Sequence, residues 1–155
     1  MLNIAPASSA RDIADVRMLC REYAGLVAEA LCFQNFDQEL DALPGEYAPP
    51  GGALLIARDA GAAAGCVALR RIDAGTGEMK RMYVRESCRG SGLGRKLALA
   101  IIEEARQRKC SRIVLDTLPK LVAAVALYRD LGFRETGPYL ASPTPGALCF
   151  ELRLA

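Results

Sequence analysis

Arg89-Gly90-Ser91-Gly92-Leu93-Gly94-Arg95 follows a strand-like run, Glu78 to Val84, and opens a long amphipathic helix; this junction decides the fold. Glycine at alternate positions lets the backbone bend tightly and approach a ligand without Cβ obstruction, so several amide N–H groups point into the turn. A helix starting at its edge adds unpaired N–H donors and the positive end of its dipole. The turn is therefore a seat for a phosphate or diphosphate. A P-loop would need Gly-Lys-Ser/Thr, but Lys96 stands between Arg95 and Leu97. The dinucleotide fingerprint G-x-G-x-x-G would need glycine at 95, where Arg95 stands. What remains is Arg-x-x-Gly-x-Gly, from Arg89 through Gly92 to Gly94.

Three further pieces keep fixed order around it. Glu78-Met79-Lys80-Arg81-Met82-Tyr83-Val84 reads as a central strand, Ile113-Val114-Leu115-Asp116-Thr117 as the next, and Ala126-Leu127-Tyr128-Arg129-Asp130-Leu131-Gly132-Phe133 as a helix ending. Together with the glycine turn, these resemble the GCN5-related N-acetyltransferase (GNAT) superfamily closely over residues 78 to 133 and loosely elsewhere. The resemblance implies one domain over residues 1–155, an α/β fold. Its sheet is mixed and mostly antiparallel, flanked by helices and splayed between the fourth and fifth strands.

The remaining elements follow from periodicity. Leu2 to Ala5 reads as an edge strand. Ser8 or Ser9 caps a helix from about Arg11, with Ile13, Val16, Leu19, Cys20, Tyr23, Leu26, Val27, Ala30 and Leu31 on one apolar side and Gly25 marking a bend. Residues 32–52 are irregular, with Phe33, Phe36 and Leu40 suited to a short helix. Ala53 to Arg58 and Ala63 to Ile72 read as strands joined by a turn at Asp59 to Gly61, and a turn at Asp73 to Gly77 leads into the central strand. The helix after the glycine turn runs from about Ser91 to Arg108, an alanine-rich helix follows Pro119, and Leu148 to Leu154 closes the sheet.

Composition sets bounds. With 20 basic and 18 acidic residues the charge is too balanced to point to nucleic acid, although basic residues crowd between Lys80 and Lys109. No apolar run has the length of a membrane span, and no secretory signal is apparent, so the expected compartment is the cytoplasm. Six cysteines without a C-x-x-C pair read as free thiols. The absence of histidine excludes Cys/His zinc sites and histidine-based triads, and no metal is implied.

The resemblance also implies chemistry. Acetyl-coenzyme A is the donor, and an amine attacks it directly in a ternary complex. The main-chain N–H of Met82 holds the thioester carbonyl, with Tyr83 and Val84 alongside the pantetheine arm. Gly90, Gly92, Gly94 and Arg95 bind the diphosphate, with Arg89 a charged flank. Glu78, four residues before Met82, is the candidate base. Strict alternation places Glu78, Lys80, Met82 and Val84 on one face. Tyr128 is the candidate acid for the departing thiolate. Each also has a structural reading: buried strand, empty turn, ion-paired glutamate, packed core tyrosine. Cys88 lies between Arg85 and Arg89, but no histidine is present to activate it. Thr117 stands where the family often has another polar residue, so its role is open. Glu39, Asp41, Glu46 and Tyr47 are the clustered polar candidates for the acceptor, a small molecule or a protein amine, or they simply solvate a loop. Dimers are frequent among proteins the chain resembles. A non-catalytic coenzyme A-binding sensor is the alternative function.

Overall fold

The computed structural model describes residues 1–26, 36–141 and 143–154. The expected helical positions Val27, Ala30 and Leu31, and Phe33, lie outside these residues. One sheet of seven strands runs in the order β1-β2-β3-β4-β5-β7-β6. Its strands are β1 (Leu2–Pro6), β2 (Ala53–Asp59), β3 (Ala62–Asp73), β4 (Thr76–Val84), β5 (Arg112–Thr117), β6 (Arg134–Thr136) and β7 (Leu148–Arg153). All neighbouring pairs are antiparallel except β4 and β5. The mixed sheet and its flanking helices agree with the expected architecture. The short edge strand β6 was not anticipated, and β4 begins at Thr76 rather than Glu78.

Both faces of the sheet are covered, which is why β2 reads as a continuous apolar run rather than an alternating one. On one face, helix α3 (Leu93–Gln107) lays Leu93, Leu97, Ile101 and Ala105 over Leu55, Val67, Leu69 and Leu115. On the other, α1 (Ala10–Leu26) and the short α2 (Phe36–Asp41) pack Val16, Leu19, Cys20 and Leu40 against Leu54, Ile56, Cys66 and Ala68. Leu97 and Leu19 are fully buried, so truncation of either to alanine costs about 2–5 kcal/mol.

Local chemistry fixes the ends. Ser9 Oγ accepts from the Asp12 amide at 3.0 Å while Asp12 accepts from the Ser9 amide at 3.3 Å, a reciprocal cap that starts α1. Arg58 on β2 then bridges Asp12 and Asp15 at 2.7 and 2.8 Å, tying the helix to the sheet. At the far end of α3, Arg108 bonds Glu104 at 3.0 Å in the favourable i,i+4 order.

Two features of β4 shape everything that follows. Its parallel pairing with β5 covers only Thr76–Glu78 against Arg112–Val114. Beyond that the strands part, and β4 continues to Val84 bonded to β3 alone. Second, β4 carries a bulge. Lys80 and Tyr83 pair with Ala68 and Cys66, so three steps of β4 span two of β3, and Arg81 takes φ +59 to absorb the extra residue. The Cys66 thiol donates to the Arg81 carbonyl at 3.3 Å across the bulge.

Candidate active site

The bulge corrects the expected facing of β4. Met79, Met82 and Val84 belong to the α3 side, whereas Tyr83 packs into the core under α1. Strict alternation put Glu78, Lys80, Met82 and Val84 together; the inserted residue instead hands Met82 and Val84 to the α3 face and leaves Glu78 and Lys80 on the opposite one.

The parting of β4 from β5 opens a cavity of about 900 Å³. Its lining includes Met82, Tyr83 and Val84 of β4, Arg89, Gly90, Gly92, Gly94 and Arg95 of the glycine turn and the start of α3, and Asp116, Thr117 and Tyr128 across the split. The structure therefore brings together nine of the ten residues singled out for cofactor and chemistry. Glu78 is the exception: it is fully buried and does not line the cavity.

The glycine turn is built as its sequence requires. After a single 3-10 turn, Glu86–Cys88, the chain takes φ +85 at Gly90 and φ +80 at Gly92, and α3 begins at Leu93 with no side chain capping its first amides. Ser91 Oγ donates to the Cys88 carbonyl at 2.8 Å, and Arg89 Nε donates to the Val84 carbonyl at 3.0 Å, so the turn is closed onto the end of β4. A Cβ at Gly92 would meet nothing within 4 Å. At Gly92 the turn borders open space rather than packed protein. Arg95 lines it and is ion-paired with Asp130 at the end of helix α4 (Val122–Asp130).

Tyr128, on α4, is 6 % exposed and stacks edge-on against Phe133 at 5.8 Å. Burial, then the charges of Tyr23 and Asp116, push its phenol well above the usual tyrosine range. It stays protonated, a hydroxyl with a proton to give at the cavity wall.

On the opposite face a network of charges locks the elements together. Glu78 accepts from Arg70 Nε at 2.6 Å and from the Tyr139 hydroxyl at 2.5 Å, and Arg70 also reaches Glu46 at 2.9 Å. Arg81 forms a two-pronged pair with Glu39 at 2.7 and 2.9 Å and lies 4.9 Å from the Phe36 ring centre. Arg85 pairs with Glu22 at 2.5 Å, which also receives the Tyr83 hydroxyl at 3.2 Å. The clustered acceptor candidates are thus largely committed. Glu39 and Glu46 neutralise arginines of the sheet and Tyr47 is only 2 % exposed. None of these, nor Asp41, lines the cavity. Burial presses the Lys80 ammonium below its ordinary range, with Glu78 opposing.

Asp116 and Tyr139 were not singled out from sequence. Asp116 sits in a strand that reads as a buried apolar run, and a lone carboxylate there is the signal that points to it. Tyr139 comes from an irregular stretch with no periodicity to place it. Among the described residues no group of three or more Cys, Asp or Glu side chains is arranged to hold a metal ion. No helix among them is long and apolar enough to cross a membrane.

Comparison with known proteins fits this geometry. The model of the Acetyltransferase (GNAT) family matches residues 16–133. An uncharacterised N-acetyltransferase of Schizosaccharomyces pombe is 40% identical over 156 residues, covering 99% of this chain and 96% of that one. Among solved structures, an acetyltransferase from Streptococcus agalactiae superposes with a TM-score of 0.85 at 24% identity, over 99% of this chain and 98% of its own. A Salmonella typhimurium protein described as a putative acetyltransferase, crystallised with its cofactor acetyl-CoA, superposes with a TM-score of 0.76 at 22% identity, over 100% and 95%.

Proposed function

The chain belongs to the GNAT acetyltransferase family, whose acetyl donor is acetyl-coenzyme A, and on that premise we propose that it transfers the acetyl group to a primary amine by direct attack within the β4–β5 split. The observation that carries this is the continuity of the cavity from the glycine turn to Tyr128, past the edge of β4 that β5 leaves unpaired. A diphosphate suits the turn because Gly90 and Gly92 leave open space at their Cβ positions and α3 starts beside them with no side chain capping its first amides. Arg95, paired with Asp130, and Arg89, bonded to the Val84 carbonyl, line the cavity beside the turn.

When bound, acetyl-coenzyme A supplies a thioester carbonyl open to a nucleophile. The N–H of Met82 polarises and orients that carbonyl, and the walls at Tyr83 and Val84 hold the arm that carries it. The amine approaches from the face opposite α3, since α3 and its turn fill the other side. The amine nitrogen bonds to the acetyl carbon, the C–S bond breaks, and Tyr128 donates its proton to the departing sulfur. Glu78 acts without touching the amine, through its charge and the polar chain to Tyr139. Mass spectrometry of acetyl-coenzyme A incubated with an amine panel tests the reading. An acetylated amine formed at a rate proportional to protein supports it; coenzyme A binding without any product would identify a sensor instead.

A further inference from the structure

The proton that leaves the attacking amine needs an acceptor on the face from which the amine arrives. Glu78, sealed between Arg70 and Tyr139, offers no open oxygen. Parallel strands keep paired residues on a common face, so Val114, opposite Glu78, shares its face, and Asp116 two residues on does so again. Lys80 stands at the matching step of β4. Asp116 and Lys80 thus flank the split just beyond the last pair, and both line the cavity.

We propose that Asp116 is the general base, a catalytic residue whose carboxylate takes the proton of the attacking amine at the point where β4 and β5 part. The inference rests on the acetyl-transfer reading above and adds to it the identity of the base. The step balances: the amine N–H proton passes to Asp116, the C–N bond forms, the C–S bond breaks, and the sulfur takes the Tyr128 proton. Asp116 is left protonated and Tyr128 ionised, and water returns the proton from one to the other.

The surroundings suit the role. Facing Asp116 are Glu78, Lys80 and Arg81 from β4. Tyr128 of α4, Tyr23 of α1, Tyr139 after β6 and Cys149 of β7 complete its neighbourhood. Burial first, and the Glu78 charge second, push its carboxyl above the ordinary aspartate range, with Lys80 and Arg81 opposing. That upward shift makes it a stronger base than a solvated aspartate. Glu78 becomes a positioning residue that acts through Asp116.

A raised carboxyl destabilises the fold when ionised; the penalty is present above its folded pKa and relieved as pH falls through it. A catalytic Asp116 is therefore held at the expense of stability, whereas a structural one would stabilise. The test is Asp116→Asn, assayed with acetyl-coenzyme A and tyramine, spermidine, glycinamide or L-aspartate, with product counted by mass spectrometry. We expect kcat to fall by about 10²-fold or more, the acidic limb of the pH–rate profile to disappear, and the coenzyme A Kd to stay within about threefold, under 0.7 kcal/mol. Tm at pH 7 should not fall. A rate within about threefold of wild type with the acidic limb intact overturns the assignment. So does a lowered Tm, which would mark a structural carboxylate. Wild-type protein inactive on every amine overturns acetyl transfer itself, and this inference with it.

Discussion

Two alanine substitutions two residues apart in the glycine turn should move stability in opposite directions. Gly92 holds φ +80, a conformation that costs a residue with a Cβ about 1–2 kcal/mol. Alanine returns about 0.4–1 kcal/mol by restricting the unfolded chain. Gly92→Ala therefore loses roughly 1 kcal/mol, or about 2–4 °C in Tm for a chain of this size. Gly94 is different. It lies in the first turn of α3, and a Cβ there would meet Leu127, Val84 and Met82 side-chain atoms at 3.7, 3.9 and 4.0 Å, ordinary contact. Gly94→Ala should gain about 0.5–1 kcal/mol, raising Tm by roughly 1–4 °C. Binding should separate from stability. The new methyl of Gly92→Ala stands in the open concavity proposed for the diphosphate. Losing one hydrogen bond to that charged group costs about 1.5 kcal/mol, roughly tenfold in Kd for acetyl-coenzyme A. Differential scanning calorimetry and titration calorimetry read the two effects. Tm shifts of the same sign would refute the backbone reasoning, and an unchanged Kd for Gly92→Ala would remove the diphosphate from the turn.

Tyr128→Phe keeps the contact with Phe133 but loses the proton donor, so kcat should drop at least tenfold, over about 1.4 kcal/mol in barrier, with Kd for coenzyme A unchanged; equal small losses in both would mean the ring only packs. Glu78→Gln retains an acceptor for Tyr139 and removes the charge that raises Asp116, so the acidic limb of the pH–rate profile should move to lower pH; its disappearance would make Glu78 the titrating base. For Glu39, burial pushes the carboxyl up, but the Arg81 hydrogen bonds and charge more than reverse this, and its folded pKa ends below the ordinary value. That stabilisation is present above the unfolded pKa and lost as pH falls through the folded one. The urea midpoint gap between wild type and Glu39→Gln should accordingly be widest near neutrality and close below about pH 4; a gap independent of pH would show that the pair's charge contributes nothing.

Glycine spacing carries backbone information directly, so the turn, the helix it opens and the strand before it were legible as letters. The splay between β4 and β5 came with the family resemblance, and the pairing that stops at Glu78 and Val114 bears it out. The bulge was not legible. Inserting one residue in Glu78-Met79-Lys80-Arg81-Met82-Tyr83-Val84 leaves no mark on composition, and it reverses the side to which every later residue points. The consecutive charges Lys80 and Arg81 inside an apolar strand were its one trace, and Arg81 is buried against Glu39, which arrives from a different element. The strand β6 escaped because three polar residues at a sheet edge have no hydrophobic alternation to show. Asp116 escaped because its role depends on where a neighbouring strand ends, which is a long-range fact.

The central claim is that acetyl-coenzyme A lies with its diphosphate in the Gly90–Arg95 turn and its thiol end between β4 and β5. Amide chemical-shift mapping of the folded protein with coenzyme A tests it most directly. The account predicts saturable shifts at residues 82–84 and 90–95 and near Thr117 and Tyr128, with ATP at the same concentration producing weaker ones. Shifts confined to other surfaces, or none at saturating coenzyme A, would contradict it.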